Sequence, residues 1–381
     1  MTGIHRLSED RLALLQSFSR EERTALARII SVVENERSGH QAVLHELHGR
    51  LGHAHRIGIT GPPGAGKSTL TAELIRRLRA RDQSVGVVAV DPTSPFTGGA
   101  LLGDRIRMND VAHDPHVFVR SMATRGSLGG LAVTTKEVTD VMDAFGFDRV
   151  LVETVGVGQS ELDIAAAADT TVVVLVPESG DSIQTMKAGL MEAADLFVVN
   201  KADRPGAERL AQEVQMMLQI RLGDRAPART GHHGVDLGHA RKAGKGQARG
   251  QGQGGHGEGG GTARNEADAS DSGGRRSAVG GRDSWTIPVI QTIADTGEGV
   301  DELLEALDRH LAWLQTSGEL SRRRKQRLAE RVRDVVRRQL LALAWSEHDG
   351  RAILQEALPA LEAGDTTPYE VASRIVNRIR G

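Results

Sequence analysis

Residues Arg56 to Leu70, RIGITGPPGAGKSTL, place the tightest constraint on what this chain can fold into. They read as a buried strand, a glycine-rich loop and the start of a helix. Gly61, Gly66, Lys67 and Ser68 fill the fixed places of G-x-x-x-x-G-K-[ST], and the strand before and helix after supply the context that such a motif requires. Glycines let backbone N–H groups turn inward around a phosphate, and the positive end of the following helix adds to the cradle. The expected cradle is Gly61, Pro62, Pro63, Gly64, Ala65, Gly66, Lys67, Ser68 and Thr69. Lys67 is expected on the β- and γ-phosphates, and the Ser68 hydroxyl on Mg²⁺.

Strand and helix patterns alternate from residue 57 onward, which predicts an α/β fold with a doubly wound, mostly parallel sheet. Strands are predicted at Arg56–Thr60, Ser84–Val90, Val117–Arg120, Arg149–Val152, Thr170–Val176, Leu196–Val199 and Pro288–Thr292. Several are continuous apolar runs, as strands covered on both faces should be. Ligands of such sheets bind beyond the carboxyl ends of the strands, and acidic residues stand there. Asp91 ends the second strand, and the long loop after it carries Asp104. Glu153 ends the fourth, with Gly156 three residues on, a spacing suited to holding Mg²⁺ and contacting a γ-phosphate.

The sixth strand ends in Asn200-Lys201-Ala202-Asp203. A carboxylate at Asp203 can accept from guanine N1–H and its exocyclic amine, whereas adenine lacks that amine and presents an acceptor at N1. Leaving such a group unpaired is costly, so the motif selects GTP over ATP. Thr292, Ile293 and Ala294, after the last strand, are expected to add backbone contacts to the base.

These stretches, with VAVDPTSP at 88–95, LLGDRIRM at 101–108, ETVGVGQSE at 153–161 and VPESGDSIQTMKAG at 176–189, resemble the MeaB/ArgK-type P-loop GTPases, the methylmalonyl-CoA mutase-associated family. The resemblance covers about residues 20–220 and 285–375. It implies a GTP-hydrolysing, homodimeric G-protein chaperone that assists cofactor loading and protection of an adenosylcobalamin-dependent acyl-CoA mutase. It also places Asp91, Asp104 and Glu153 around the metal and switch loops, and makes Asp181 and Lys187 part of a loop that senses nucleotide. Val157 stands directly after Gly156, where Ras-like GTPases carry a water-orienting glutamine, so slow intrinsic hydrolysis is expected. Gln159 and Asp104 are the candidates to orient water instead. Two alternatives share the engine: a nickel metallochaperone and a small-molecule kinase.

Outside the core, residues 9–54 read as helices, with Ser19 and Glu22 fitting a capping box before Leu26, Ile29, Ile30 and Val33. The histidines at 40, 45, 48, 53 and 55 lack thiolate or carboxylate company and read as solvated rather than metal-binding. Residues 223–284 hold 18 of the chain's 45 glycines and almost no large apolar side chain, a composition expected to stay disordered. Their basic residues alternate with acids and lack aromatics, which argues against nucleic acid. Beyond them, helices are predicted at Val300–Gln315, Ser321–Trp345 and Pro368–Ile379. In the second of these, SRRRKQR at 321–327 reads as a solvated face beside an apolar stripe of Leu328, Val332, Val335, Val336, Gln339 and Leu343.

The expected domains are therefore an N-terminal helical extension (1–54), a GTPase core (55–222), a glycine-rich insert (223–284), the end of the core (285–316) and a C-terminal helical dimerisation arm (317–381). No run approaches the roughly 18 apolar residues of a membrane span, and the first ten lack a signal-peptide core, so a cytoplasmic location is expected. The absence of cysteine excludes disulfides, thiolate metal sites and thiol nucleophiles.

Overall fold

The computed structural model describes residues 7–91, 109–123, 133–154, 160–179, 192–221, 284–347 and 349–380. All seven expected strands are present: β1 (His55–Thr60), β2 (Val85–Asp91), β3 (Val117–Ala123), β4 (Arg149–Thr154), β5 (Thr170–Leu175), β6 (Leu196–Asn200) and β7 (Val289–Thr292). They form one sheet in the order β3-β2-β4-β1-β5-β6-β7, with every pairing parallel. β1 stands between β4 and β5, and the chain leaves it first toward β2 on one side and later crosses to β5 on the other. That reversal opens a crevice at the carboxyl end of β1.

Alternation of side chains along the strands sorts the core into two faces. On one face, Ile57, Ile59, Leu151, Val172, Val174 and Val198 pack with the helices α4 (Lys67–Ala80) and, late in the chain, Val300–Thr316. On the other, Val88, Val90, Val150 and Val152 pack with the N-terminal helices α1 (Glu9–Ser19), α2 (Arg23–Glu34) and α3 (His40–Leu47), and with the helices at Val133–Phe145 and Ser160–Ala167. In chain order the remaining helices are α5 (Asn109–Ala112), α6 (Val133–Phe145), α7 (Ser160–Ala167), α8 (Ala207–Arg221), α9 (Val300–Thr316), α10 (Glu319–Ala342), α11 (Gly350–Ala363) and α12 (Pro368–Arg380). Phe18, Leu26, Ile29 and Ile30 of α1 and α2 are fully buried, each contributing roughly 1.5–3 kcal/mol.

Two details of the sequence reading are corrected. Ser19 is the last residue of α1, where its hydroxyl accepts from Arg50, and Glu22 itself stands at the N-cap of α2, its side chain accepting from Arg20 and not capping the helix. No capping box forms, because the chain turns through Glu21 at φ 60° between two helices instead of entering one. The basic run in α10 is not a solvated face. Arg323 donates twice to Asp195, at 2.9 Å each, and Arg324 and Arg327 both pair with the buried Asp169. Leu328, Val332 and Val336 turn outward, 49%, 62% and 46% exposed. The strand starts present buried carboxylates, so the cationic side of the helix docks and the apolar side does not.

Helix α11 was not expected from sequence. It begins at Asp349-Gly350 and contains Pro359, both ordinarily stop signals. With α12 and the turn at Leu343–Glu347 it forms a small cluster around Ala357, Val371 and Ile375. The insert at 223–284 lies outside the described residues except for its last member. Among the described residues no helix is long and apolar enough to cross a membrane.

At the lower edge of the sheet a buried polar chain joins β1, β4, β5 and α9. Arg149 can only donate, so His55 Nδ1 accepts from it and His55 Nε2 carries the proton toward Thr170 Oγ1 at 2.7 Å. Thr170 then donates to His310 Nδ1 at 2.8 Å. Both imidazoles are neutral here: burial, with Arg149 beside it, pushes His55 down to about 3, and burial pushes His310 down to about 4 against the nearby Asp195. An unfolded histidine takes a proton near 6.5, so the unfolded state binds more protons as pH falls below that value. Stability is expected in full above pH 6.5 and to decline between 6.5 and 4, by about 3 kcal/mol from His310 alone. Urea midpoints at pH 7.5 and 5 should record the decline, and His310→Asn should reduce it.

Candidate functional site

The nucleotide motifs converge at the carboxyl ends of β1, β4, β6 and β7. Gly61 leaves β1 at φ 140°, and a Cβ there would lie 2.1 Å from the Val174 carbonyl oxygen of β5. Only glycine passes, and the loop is thereby held against the neighbouring strand. Lys67, at the start of α4, is buried, and its ammonium donates to the carbonyls of Gly61 at 3.0 Å and Pro62 at 2.9 Å. The charge thus sits over the loop after β1.

Ser68, also buried, donates from its hydroxyl to Glu153 Oε1 at 2.6 Å. The sheet register brings this about: Ile59 stands opposite Glu153, so the acid at the end of β4 lies beside the loop that follows β1. A hydroxyl and a carboxylate, both hard oxygen donors, suit Mg²⁺, which keeps several waters and takes few protein ligands. Thr154 donates to Thr60 at 3.1 Å and ties the two strand ends together.

Asn200 closes the other side. Its Nδ2 donates to the Ala65 carbonyl at 2.8 Å, and its Oδ1 accepts from Thr292 Oγ1 and Ala294 N, both at 3.1 Å. This one amide joins the loop after β1, the end of β6 and the segment after β7. Lys201 adopts φ 57°, and Ala202 N donates to the Thr292 carbonyl at 3.0 Å, so the chain turns outward and leaves Asp203 exposed at the rim. Ile293 bridges Glu298, shaping the segment that faces Asp203's loop.

The described structure therefore brings together Gly61 through Thr69, Glu153, Asn200, Lys201, Asp203 and Thr292 through Ala294. Asp91 ends β2, where its backbone stands opposite Ala123. Asp104, Gly156, Gln159, Asp181 and Lys187 lie outside the described residues. Among the described residues, no group of three or more His, Asp or Glu side chains is arranged to hold a metal on its own. His55, one of the five N-terminal histidines, belongs to the buried chain under the sheet.

One feature of the rim escaped the sequence reading. Arg204, directly after Asp203, pairs with Glu178, which follows β5. No fixed spacing announces a pair formed across 26 residues; it exists because β5 and β6 are neighbours.

The family model described as methylmalonyl Co-A mutase-associated GTPase MeaB matches residues 26–349. The chain belongs to this GTPase family. A relative from Pyrococcus horikoshii with a GTPase designation is 39% identical over 368 residues, covering 97% of this chain and 98% of its own. A protein of Geobacillus kaustophilus named as a fused isobutyryl-CoA mutase is 38% identical over 205 residues, 51% of this chain and 19% of the relative. The crystal structure of a LAO/AO transport system kinase superposes with a TM-score of 0.62 at 24% identity, covering 99% of this chain and 100% of that one, and so shares the fold. Membership of a P-loop GTPase family implies guanine-nucleotide binding.

Asp203→Asn is expected to weaken GDP binding by about 100-fold or more, since the amide places a donor against guanine's exocyclic amine. The same substitution should improve binding of xanthosine diphosphate, whose base offers an oxygen where guanine has its amine. Fluorescence titration with labelled nucleotides would read both changes.

Proposed function

We propose that the protein hydrolyses GTP to GDP and phosphate with Mg²⁺ and acts as a chaperone for an adenosylcobalamin-dependent acyl-CoA mutase. The observation that carries the catalytic half is the meeting of Ser68 and Glu153 at 2.6 Å beside the buried Lys67, with Asn200 bonded to the same loop through Ala65. Lys67 supplies positive charge where the β- and γ-phosphates rest, and the loop N–H groups fix their oxygens, so charge developing in transfer meets groups already oriented. Ser68 and Glu153 would hold Mg²⁺, directly or through its water, and the ion would neutralise charge on the same phosphates.

In this reading Asp203 and Lys201 select guanine, with the backbone of Ile293 and Ala294 against the base. The Thr292 hydroxyl is engaged with Asn200 and supports that motif. Asp91 and Asp104 serve the metal and switch loops, Gly156 contacts the γ-phosphate, and Gln159 or Asp104 orients the attacking water. With Val157 after Gly156, the chain lacks the usual water-orienting glutamine, so hydrolysis by the protein alone is slow. Asp181 and Lys187 belong to a nucleotide-sensing loop that faces the client.

The client half is supported by the family's description and by the relative in which a homologous segment is fused to an isobutyryl-CoA mutase. A homodimer built through the C-terminal helices is consistent with the outward apolar side chains of α10. The insert at 223–284 is a linker in this scheme, and the protein acts in the cytoplasm.

Purified protein is expected to hydrolyse GTP slowly alone and faster, saturably, as a purified adenosylcobalamin-dependent acyl-CoA mutase from the same source is added. Lys67→Ala should abolish both rates. An unchanged rate together with no complex on size-exclusion chromatography would remove the mutase as client while leaving the GTPase.

A further inference from the structure

We propose that Arg77, on α4, is a positioning residue for the nucleotide base: with Glu73 and Asp301 it fixes the turn after β7, residues 293–299, to the helix that begins at Lys67. The inference rests on the reading above that the backbone of Ile293 and Ala294 lies against guanine.

The turn leaves a four-residue strand at the edge of the sheet, beside β6. Asn200 holds its near end through Thr292 and Ala294, and from there the chain folds back on itself. Ile293 N donates to the Glu298 carbonyl at 3.0 Å, and Gly297 N to the Ile293 carbonyl at 2.9 Å. Gly299, at φ 75°, closes the turn against β7, where a Cβ would lie 2.1 Å from the Gln291 carbonyl oxygen. These bonds make the turn one unit, so a group that fixes Gly297 also fixes Ile293. They set its shape, and its outer side is met by α4.

Arg77 makes that contact. Its Nη1 pairs with Glu73 Oε1 at 2.7 Å, its Nε with Asp301 Oδ1 at 3.0 Å in the first turn of α9, and its Nη2 reaches the Gly297 carbonyl at 3.5 Å. Glu73 is buried, and its other oxygen takes Arg76 at 2.7 Å, so the carboxylate that aims Arg77 is itself held from two sides. The approach is close. Gly297 adopts φ 80°, and a Cβ there would stand 2.7 Å from Arg77 Nη2 and 2.8 Å from Glu73 Oε1. The backbone of the turn therefore rests directly on the Glu73–Arg77 pair, with no room for a methyl group between them.

The helix that carries this pair also carries Lys67 and Ser68 in its first turn, about 15 Å along its axis from Arg77. One rod thus bears on the loop after β1 at its start and on the turn after β7 further along. Arg77 keeps 32% of its side chain exposed and Asp301 66%, so the ion pairs themselves add little to the stability of the fold. Their effect is on where the turn stands. A planar guanidinium can address a carboxylate on either side and a carbonyl at once, which the single ammonium of lysine cannot.

The full-length Arg77→Ala and Arg77→Lys variants test this, with Gly297→Ala as an independent disturbance of the same contact from the opposite side. Fluorescence titration with N-methylanthraniloyl-GDP, and its displacement by GDP and by pyrophosphate, are read alongside hydrogen exchange of a peptide spanning residues 292–300 in nucleotide-free protein. GDP binding should weaken by about 10-fold in all three variants, while pyrophosphate, which has no base, binds within about twofold of the parent protein. The 292–300 peptide should exchange faster in each. Unchanged exchange and unchanged GDP binding overturn the role of Arg77. Equal weakening of GDP and pyrophosphate overturns it too, because α4 as a whole would then be disturbed. Faster exchange with unchanged GDP binding shows a turn that is held by Arg77 and does not touch the base, which defeats the inference by removing the reading beneath it.

Discussion

Three carboxylates buried where the strands begin govern how the pieces of this chain fit together. Asp143 accepts from the N–H groups of Gly52, His53 and Ala54, at 2.9–3.0 Å, and from Arg56 at 2.7 Å, which fixes the entry into β1. Asp169 accepts from Arg56 N at the start of β5, and Asp195 accepts from Thr171 N at the start of β6. Burial alone would raise the Asp143 and Asp169 carboxyls. Arg56 with the N–H groups at Asp143, and Arg327 with Arg324 at Asp169, outweigh it and hold both below the ordinary carboxylate range. Breaking such a buried pair by removing one partner costs about 3–5 kcal/mol, far more than a surface pair contributes.

The two ends of the sheet are thus specialised by the same backbone geometry. At the strand starts, side-chain acids satisfy N–H groups and bind arginines of the same chain. At the strand ends, the acids differ: Glu153 is buried and bonded to Ser68, and Asp203 is exposed. All seven strands are parallel, so each presents the same end to the same side.

Much of this was legible in the sequence. The strands announced themselves as apolar runs, and the P-loop, Glu153 and the NKAD segment could be assigned to strand ends before any register was known. What resisted reading depends on partners distant in sequence. The inward turn of Arg323, Arg324 and Arg327 follows from carboxylates more than a hundred residues earlier, and a rule that sends apolar stripes inward gives the wrong face. Helix α11 hides behind Asp349-Gly350 and Pro359, local stop signals overruled by the packing of Ala357, Ile353 and Leu354 against α12. Ser19 and Glu22 have capping-box spacing, but the helix they would cap starts too late for Ser19 to reach it.

Gly66 adds a different consequence. It adopts φ 81°, and a Cβ there would fall 2.4 Å from Asn200 Nδ2. The loop after β1 and the segment after β6, separated by more than 130 residues, therefore meet at a contact that admits only hydrogen, beside the Asn200–Ala65 hydrogen bond. A side chain at 66 would push the Asn200 amide off Ala65 and, through Thr292 and Ala294, loosen the wall beside the base. The loop after β1 and the segment after β6 are therefore structurally coupled, and a lineage altering one would have to alter the other with it.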